Sequence, residues 1–149
     1  MLEAYAFCIW DGGFLPSEAE WEYVAAGGSQ QFEYPWGSTG PGMATQYAIY
    51  DYDYTSNPTN IAPVAMATLG AAYWGQLDMA GEVYEWNLDW YATYVDPCAN
   101  CAYLTTASSR VLRGGNFRST AAYLLAPTRT SDSPTREIEY IDFRCARTP

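Results

Sequence analysis

"GGFLPSEAEWEYVAAGG", Gly12 to Gly28, is a helix written with both of its ends. Ser17 stands at the N-cap and Glu20 three residues on, the spacing of a capping box in which each side chain answers the other's backbone N–H. Glu18 and Glu22 add negative charge near the positive end of the helix dipole, and Gly27 with Gly28 stops the element. Trp21, Val24 and Ala25 fall on one stripe, which is the face such a helix would bury. Just upstream, "AYAFCIWDGG" (4–13) reads as the last turns of an earlier helix, stopped by Gly12 and Gly13 and leaving through an extended "FLP".

Downstream the pattern changes. From "YPWGSTGPG" (34–42) to "YTSNPTNIAPV" (54–64) the chain is rich in Gly, Pro, Asn and Tyr without sustained periodicity, so ordered loops are expected. "VYEW" (83–86) and "RVLRGG" (110–115) read as short strands. "EYIDFRCAR" (139–147) reads as a terminal strand, with Tyr140, Asp142 and Arg144 alternating against Ile141, Phe143 and Cys145. The fold class is therefore α+β with a high loop content, and 149 residues suit one domain.

Charge is divided along the chain. All seven basic residues are Arg and lie between Arg110 and Arg147, whereas residues 1–109 hold thirteen Asp or Glu and no Lys or Arg. This predicts a C-terminal segment folded back on an acidic body through internal ion pairs. A net charge of −10 repels phosphates and anionic lipid, so neither nucleic acid nor an acidic membrane surface is an expected partner. No apolar run is long enough for a membrane span in this segment. Fourteen Tyr, six Trp and five Phe provide a core that tolerates irregular backbone.

Four cysteines, Cys8, Cys98, Cys101 and Cys145, fit two disulfides in an exported protein or four thiols in a cytosolic one. "DPCANCAYL" holds a lone C-x-x-C: half of a zinc site, a redox motif, or a small loop-closing disulfide, the last being the reading adopted. Met1 is followed by "LEAYAFCIW", with neither a basic flank nor a cleavage site, so any secretory signal is expected upstream.

Four stretches in order, "GGFLPSEAEWEYVAAGG" with "YPWG", then "GQLDMAGEVYEWNLDWY", "RVLRGGNF" and "FRCAR", resemble the formylglycine-generating enzyme family, also called sulfatase-modifying factor domains. The resemblance covers nearly the whole chain. It implies a loop-rich α+β fold related to C-type lectin domains. It also implies that residues 1–149 form the C-terminal portion of a single domain whose N-terminal part precedes Met1. It further implies a bond between Cys8 and Cys145, which with a Cys98–Cys101 disulfide points to an extracytoplasmic setting, whether periplasmic, surface or secreted.

Active members of that family oxidise a substrate cysteine with copper held by two thiolates placed shortly after the motif matched by Gly114, Gly115 and Asn116. Here that segment reads "NFRSTAAYLLAPTR", about three residues shorter, and no Cys occurs between Cys101 and Cys145. Copper is therefore not expected. An iron-dependent branch of the family uses histidines, and this chain has none. Ser119 and Thr120 have no His to activate them. Arg113, Arg129 and Arg144 read as buried structural guanidiniums. No catalytic residue is assigned.

The expected function is a non-catalytic binding or surface module that contacts a protein or glycan through Tyr-rich loops. The alternatives are an oxidoreductase of the formylglycine-generating or nonheme-iron type, with metal ligands from sequence outside this chain, or a truncated fragment. "QLDMAGEVYEW" (76–86) resembles the family's calcium loop. That resemblance assigns the Asp78 side chain, the Gly81 and Val83 carbonyls and the Glu85 carboxylate to one structural Ca²⁺, an ion that favours such mixed oxygen sets. Glu82 departs from the usual Asn of that loop and would add charge beside the ion or face solvent. Without the ion the stretch is a solvated acidic turn between two aromatic stretches.

Overall fold

The computed structural model describes every residue except 44, 55–60, 95–97, 99–100 and 149. Helix α1 spans Leu2–Trp10, and Gly12 leaves it in the left-handed region at φ 77°. Helix α2 spans Glu18–Ala25. Its capping box forms: Glu20 N–H donates to Ser17 Oγ, and Ser17 N–H donates to Glu20 Oε2 at 2.8 Å. Trp21 and Ala25 are buried, with Val24 packed beside them, so the stripe read from the sequence is the inward face.

Four strands make one sheet in the order β3-β2-β1-β4: β1 Tyr84–Trp90, β2 Arg110–Arg113, β3 Arg129–Asp132 and β4 Ile141–Asp142. β1 and β2 run antiparallel, as do β2 and β3, while β4 joins β1 in parallel. Between Gln31 and Ala67 the described residues form no helix or strand, in keeping with the loop reading. Part of "YTSNPTNIAPV" and part of "DPCAN" lie outside the described residues.

Two strand readings change. β3 was not expected, because "RTSD" carries neither alternation nor β-branched bulk beyond Thr130; it exists through its pairing with β2 across four residues. The terminal strand is shorter than expected. Its ladder with β1 covers only Ile141 and Asp142, and Ala146 instead exchanges backbone hydrogen bonds with Phe14. The alternation survives this loss: Ile141, Phe143 and Cys145 pack on the cluster of Met1, Ala4, Cys8, Leu15, Trp86 and Leu112.

Both disulfides are present, Cys8–Cys145 with Cα atoms 5.3 Å apart and Cys98–Cys101 with Cα atoms 5.8 Å apart. The first ties α1 to the last segment of the chain. Among the described residues no helix is long and apolar enough to cross a membrane.

The two bridges should differ in their effect on stability. Replacing Cys8 and Cys145 by Ala frees a loop with a sequence separation of 137. Chain-entropy reasoning gives a loss of about 4–5 kcal/mol for that change, against about 2 kcal/mol or less for Cys98→Ala with Cys101→Ala. Urea denaturation of both double variants checks the ordering, and equal losses would contradict it.

Candidate functional site

β1 alternates between two environments. Trp86 enters the apolar cluster, while Glu85, Asn87 and Asp89 line the face towards α2, all three buried. A carboxylate is rarely buried without partners, and here each has them. Asp89 Oδ2 accepts from the Glu18 N–H and Oδ1 from the Tyr103 N–H, both at 2.7 Å. Glu85 Oε2 accepts from Trp21 Nε1 at 2.7 Å and from Arg144 Nε at 2.6 Å, and Oε1 accepts from Arg144 Nη2 at 2.5 Å. Asn87 is fully buried, and neither of its amide atoms has a partner among the described residues.

Glu18, read from sequence as a helix-dipole charge, is also the centre of this network. It is 4% exposed. Arg129 grips it with Nε to Oε1 at 2.8 Å and Nη2 to Oε2 at 2.6 Å, and Tyr94 OH donates to Oε1 at 3.1 Å. Arg113, wholly buried, stands with Nε 3.5 Å from Glu18 Oε1, a charge contact without hydrogen-bond geometry. Its other donors reach the Thr128 carbonyl and Glu22. The expected fold-back of Arg residues onto acidic residues is realised by Arg113, Arg129 and Arg144, all three held by carboxylates.

The Asp78–Glu85 loop is packed as well as charged. Asp78 adopts φ 57°, and its Oδ2 accepts from the Ala65 N–H at 2.6 Å. Gly81 has φ 83°, and a Cβ there would lie 2.6 Å from the Ile49 carbonyl oxygen, so glycine is needed for packing alone. Among the described residues no hydrogen bond reaches the Gly81 or Val83 carbonyl. Arg144 Nη2 also donates to the Asp78 carbonyl at 2.9 Å and the Leu77 carbonyl at 3.2 Å. Burial alone would lower the Arg144 pKa, but the Glu85 carboxylate and the charge of Asp78 raise it. Glu82 does not face solvent: burial, together with the charges of Asp78 and Asp53, pushes its carboxyl up to about 7 against the help of the Ala62 amide. No group of three or more His, Cys, Asp or Glu among the described residues is arranged to hold a metal.

The segment after Gly115 is a knot of hydrogen bonds rather than an open nucleophile. Ser119 Oγ accepts from the Asn116 N–H at 3.0 Å and donates to Asn116 Oδ1 at 3.1 Å, and it lies 3.3 Å from Tyr84 OH. Burial raises the Tyr84 hydroxyl pKa, and the bond with Ser119 offsets part of that rise.

Beside the Glu18 network a cleft of about 890 Å³ opens between α2 and the chain around the end of β1. Tyr23, Trp90, Tyr94, Tyr103 and Arg129 line it, with the Cys98–Cys101 bridge in its wall. Sequence reading named Tyr-rich loops without locating this cleft, because its wall combines segments far apart in the chain.

The family model for the sulfatase-modifying factor enzyme 1-like domain matches residues 1–149. This chain belongs to that family. It is 33% identical to the formylglycine-generating enzyme of Thermomonospora curvata over 99% of this chain and 53% of that protein. It is 31% identical to the formylglycine-generating enzyme of Mus musculus over 97% of this chain and 41% of that protein. Among solved structures, Treponema denticola variable protein 1 matches with a TM-score of 0.74 at 31% identity, over 91% of this chain and 47% of that one. The chain thus spans about half the length of these relatives.

Breaking a buried pair leaves an uncompensated charge, whereas an exposed pair is screened by water. Arg144→Ala, which strands buried Glu85, should therefore cost about 3–5 kcal/mol. Arg147→Ala, which removes a bond from a mostly exposed guanidinium to Asp11, should cost less than about 1 kcal/mol. Denaturant titration of the two variants measures the contrast, and similar losses would contradict it.

Proposed function

We propose that this chain is a non-catalytic binding module built on the formylglycine-generating scaffold and working outside the reducing cytoplasm. The observation that carries this reading is the fate of sulfur. All four cysteines are joined in two disulfides, and none lies in the 116–129 segment. Cu(I) chemistry of this family's kind needs soft thiolate ligands, and a sulfur in a disulfide is not one. The Ser119 hydroxyl is committed to Asn116 and buried, with no imidazole in the chain to activate it. The two bridges also support the extracytoplasmic setting, since such bonds persist where thiols are not kept reduced.

The test is direct. Protein supplied with copper, oxygen and a cysteine-containing sulfatase peptide should give no formylglycine above a protein-free control by peptide mass spectrometry. Conversion above that control would overturn the reading.

A structural calcium ion at the Asp78–Glu85 loop belongs to the same proposal. The donors fit a hard cation: among the described residues the Gly81 and Val83 carbonyls and Asp78 Oδ1 have no other partner, and Glu85 would share its carboxylate with Arg144. Bound only by the folded state, the ion would raise the melting temperature by the linkage between free calcium and its dissociation constant. Melting in excess EGTA should fall below melting in millimolar Ca²⁺, and Asp78→Ala should remove that difference. Glu85→Ala also frees Arg144, so for that variant the calcium-dependent difference is the readout rather than the midpoint itself. Equal wild-type midpoints in the two buffers, with no calorimetric signal for Ca²⁺, would reject the ion.

A further inference from the structure

The cleft beside α2 carries information about its ligand through the state of its charges. Glu18, Asp89 and Arg129 line it together with Glu22. Each is already answered from within: Glu18 by Arg129 and Arg113, Glu22 by Arg113, and Asp89 by two backbone N–H groups. Arg129 Nη1 also donates to the Ala92 carbonyl at 2.8 Å. Among the described lining residues a charged ligand would find no unpaired counter-charge, and it would lose hydration on entering.

What the cleft leaves free is aromatic surface. Tyr94 is 60% exposed, yet its ring is held: its hydroxyl donates to Glu18, and the Arg129 guanidinium lies 4.2 Å from the ring centroid. Burial of its hydroxyl end and the Glu18 charge push its pKa up to about 12, against the pull of Arg113 and Arg129. Tyr23 is 59% exposed and stacks on Trp74 with centroids 5.4 Å apart. Gly28 makes room for that stack, since a Cβ there would lie 3.0 Å from Tyr23 and 3.1 Å from Trp74. Exposed rings fixed in place before any ligand arrives lose little entropy on binding. Around them Thr93, Tyr103 and Gln31 supply neutral hydrogen-bonding groups.

We propose that this cleft binds an uncharged oligosaccharide, with sugar faces laid on Tyr94 and Tyr23 and hydroxyls met by the neutral groups between them. A saccharide ring has the required composition: apolar C–H faces, a rim of hydroxyls and no ionised group. The proposal rests on the binding-module reading, but the two fail separately. Formylglycine production would overturn that reading, whereas a lack of saccharide binding removes only this ligand assignment.

The experiment is calorimetric titration of the full chain with cellohexaose, maltohexaose, mannohexaose and N-acetylchitohexaose, beside an anionic heparin hexasaccharide and decaproline. At least one neutral hexasaccharide should bind, and Tyr94→Ala and Tyr23→Ala should each weaken it by about tenfold or more, roughly the loss of one ring contact. Tyr5→Ala, an exposed ring on α1 away from the cleft, should bind as wild type. Should Tyr94→Ala lower the melting temperature through its bond to Glu18, Tyr23→Ala still decides, because among the described residues no hydrogen bond ties that ring to a buried charge. No binding by any neutral hexasaccharide, binding undiminished in Tyr23→Ala, or binding confined to the heparin fragment or decaproline would overturn the proposal.

Discussion

The carboxylate of Glu18 is the point at which the separate parts of this domain meet. It sits in the first turn of α2, receives Arg129 from β3, lies against Arg113 from β2, and accepts from Tyr94 at the mouth of the cleft. Its own N–H donates to Asp89 of β1. One residue thus registers a helix and three strands against one another. A buried ion of this kind is tolerated only when its partners satisfy it, because desolvation of an isolated carboxylate exceeds what one contact returns.

This dependence explains how so little regular structure holds a domain together. Residues 31–67 contribute no helix or strand among those described, and the sheet's outer strands are short. Position is instead set by side chains that reach across the chain: Arg144 into the Asp78–Glu85 loop, Trp21 onto Glu85, and Cys8 to Cys145. Each is a contact between segments distant in sequence. Aromatic rings fill the irregular space between them, with Tyr34 stacked on Trp36 and Phe117 set edge-on to Tyr52.

The scaffold and the side chains it carries are separate matters at one segment. The elements around residues 116–129, α2, β1 and β2 among them, lie within the match to the sulfatase-modifying factor enzyme 1-like domain. The side chains placed there are those of a hydrogen-bonded turn. A fold positions atoms; whether those atoms react depends on which side chains occupy the positions.

Local features were legible from the sequence. The α2 cap lies within four consecutive residues, the glycine stops need only their own φ angles, and the inward stripe of Trp21, Val24 and Ala25 follows from helical period. The division of Arg from Asp and Glu also announced the fold-back, and resemblance to a family supplied the Cys8–Cys145 pairing. Other features depended on neighbours that no local pattern names. β3 is a strand because β2 lies beside it, the end of β4 is set by the exchange between Ala146 and Phe14, and Glu82 is buried because its loop closes over it. The same holds for Glu18, for Asn87 and for the cleft, whose walls come from three distant stretches. Caps and periodicities are interactions of a residue with its own chain neighbours and so are carried by sequence alone; the partner of a buried charge and the wall of a cleft are chosen only when distant segments pack.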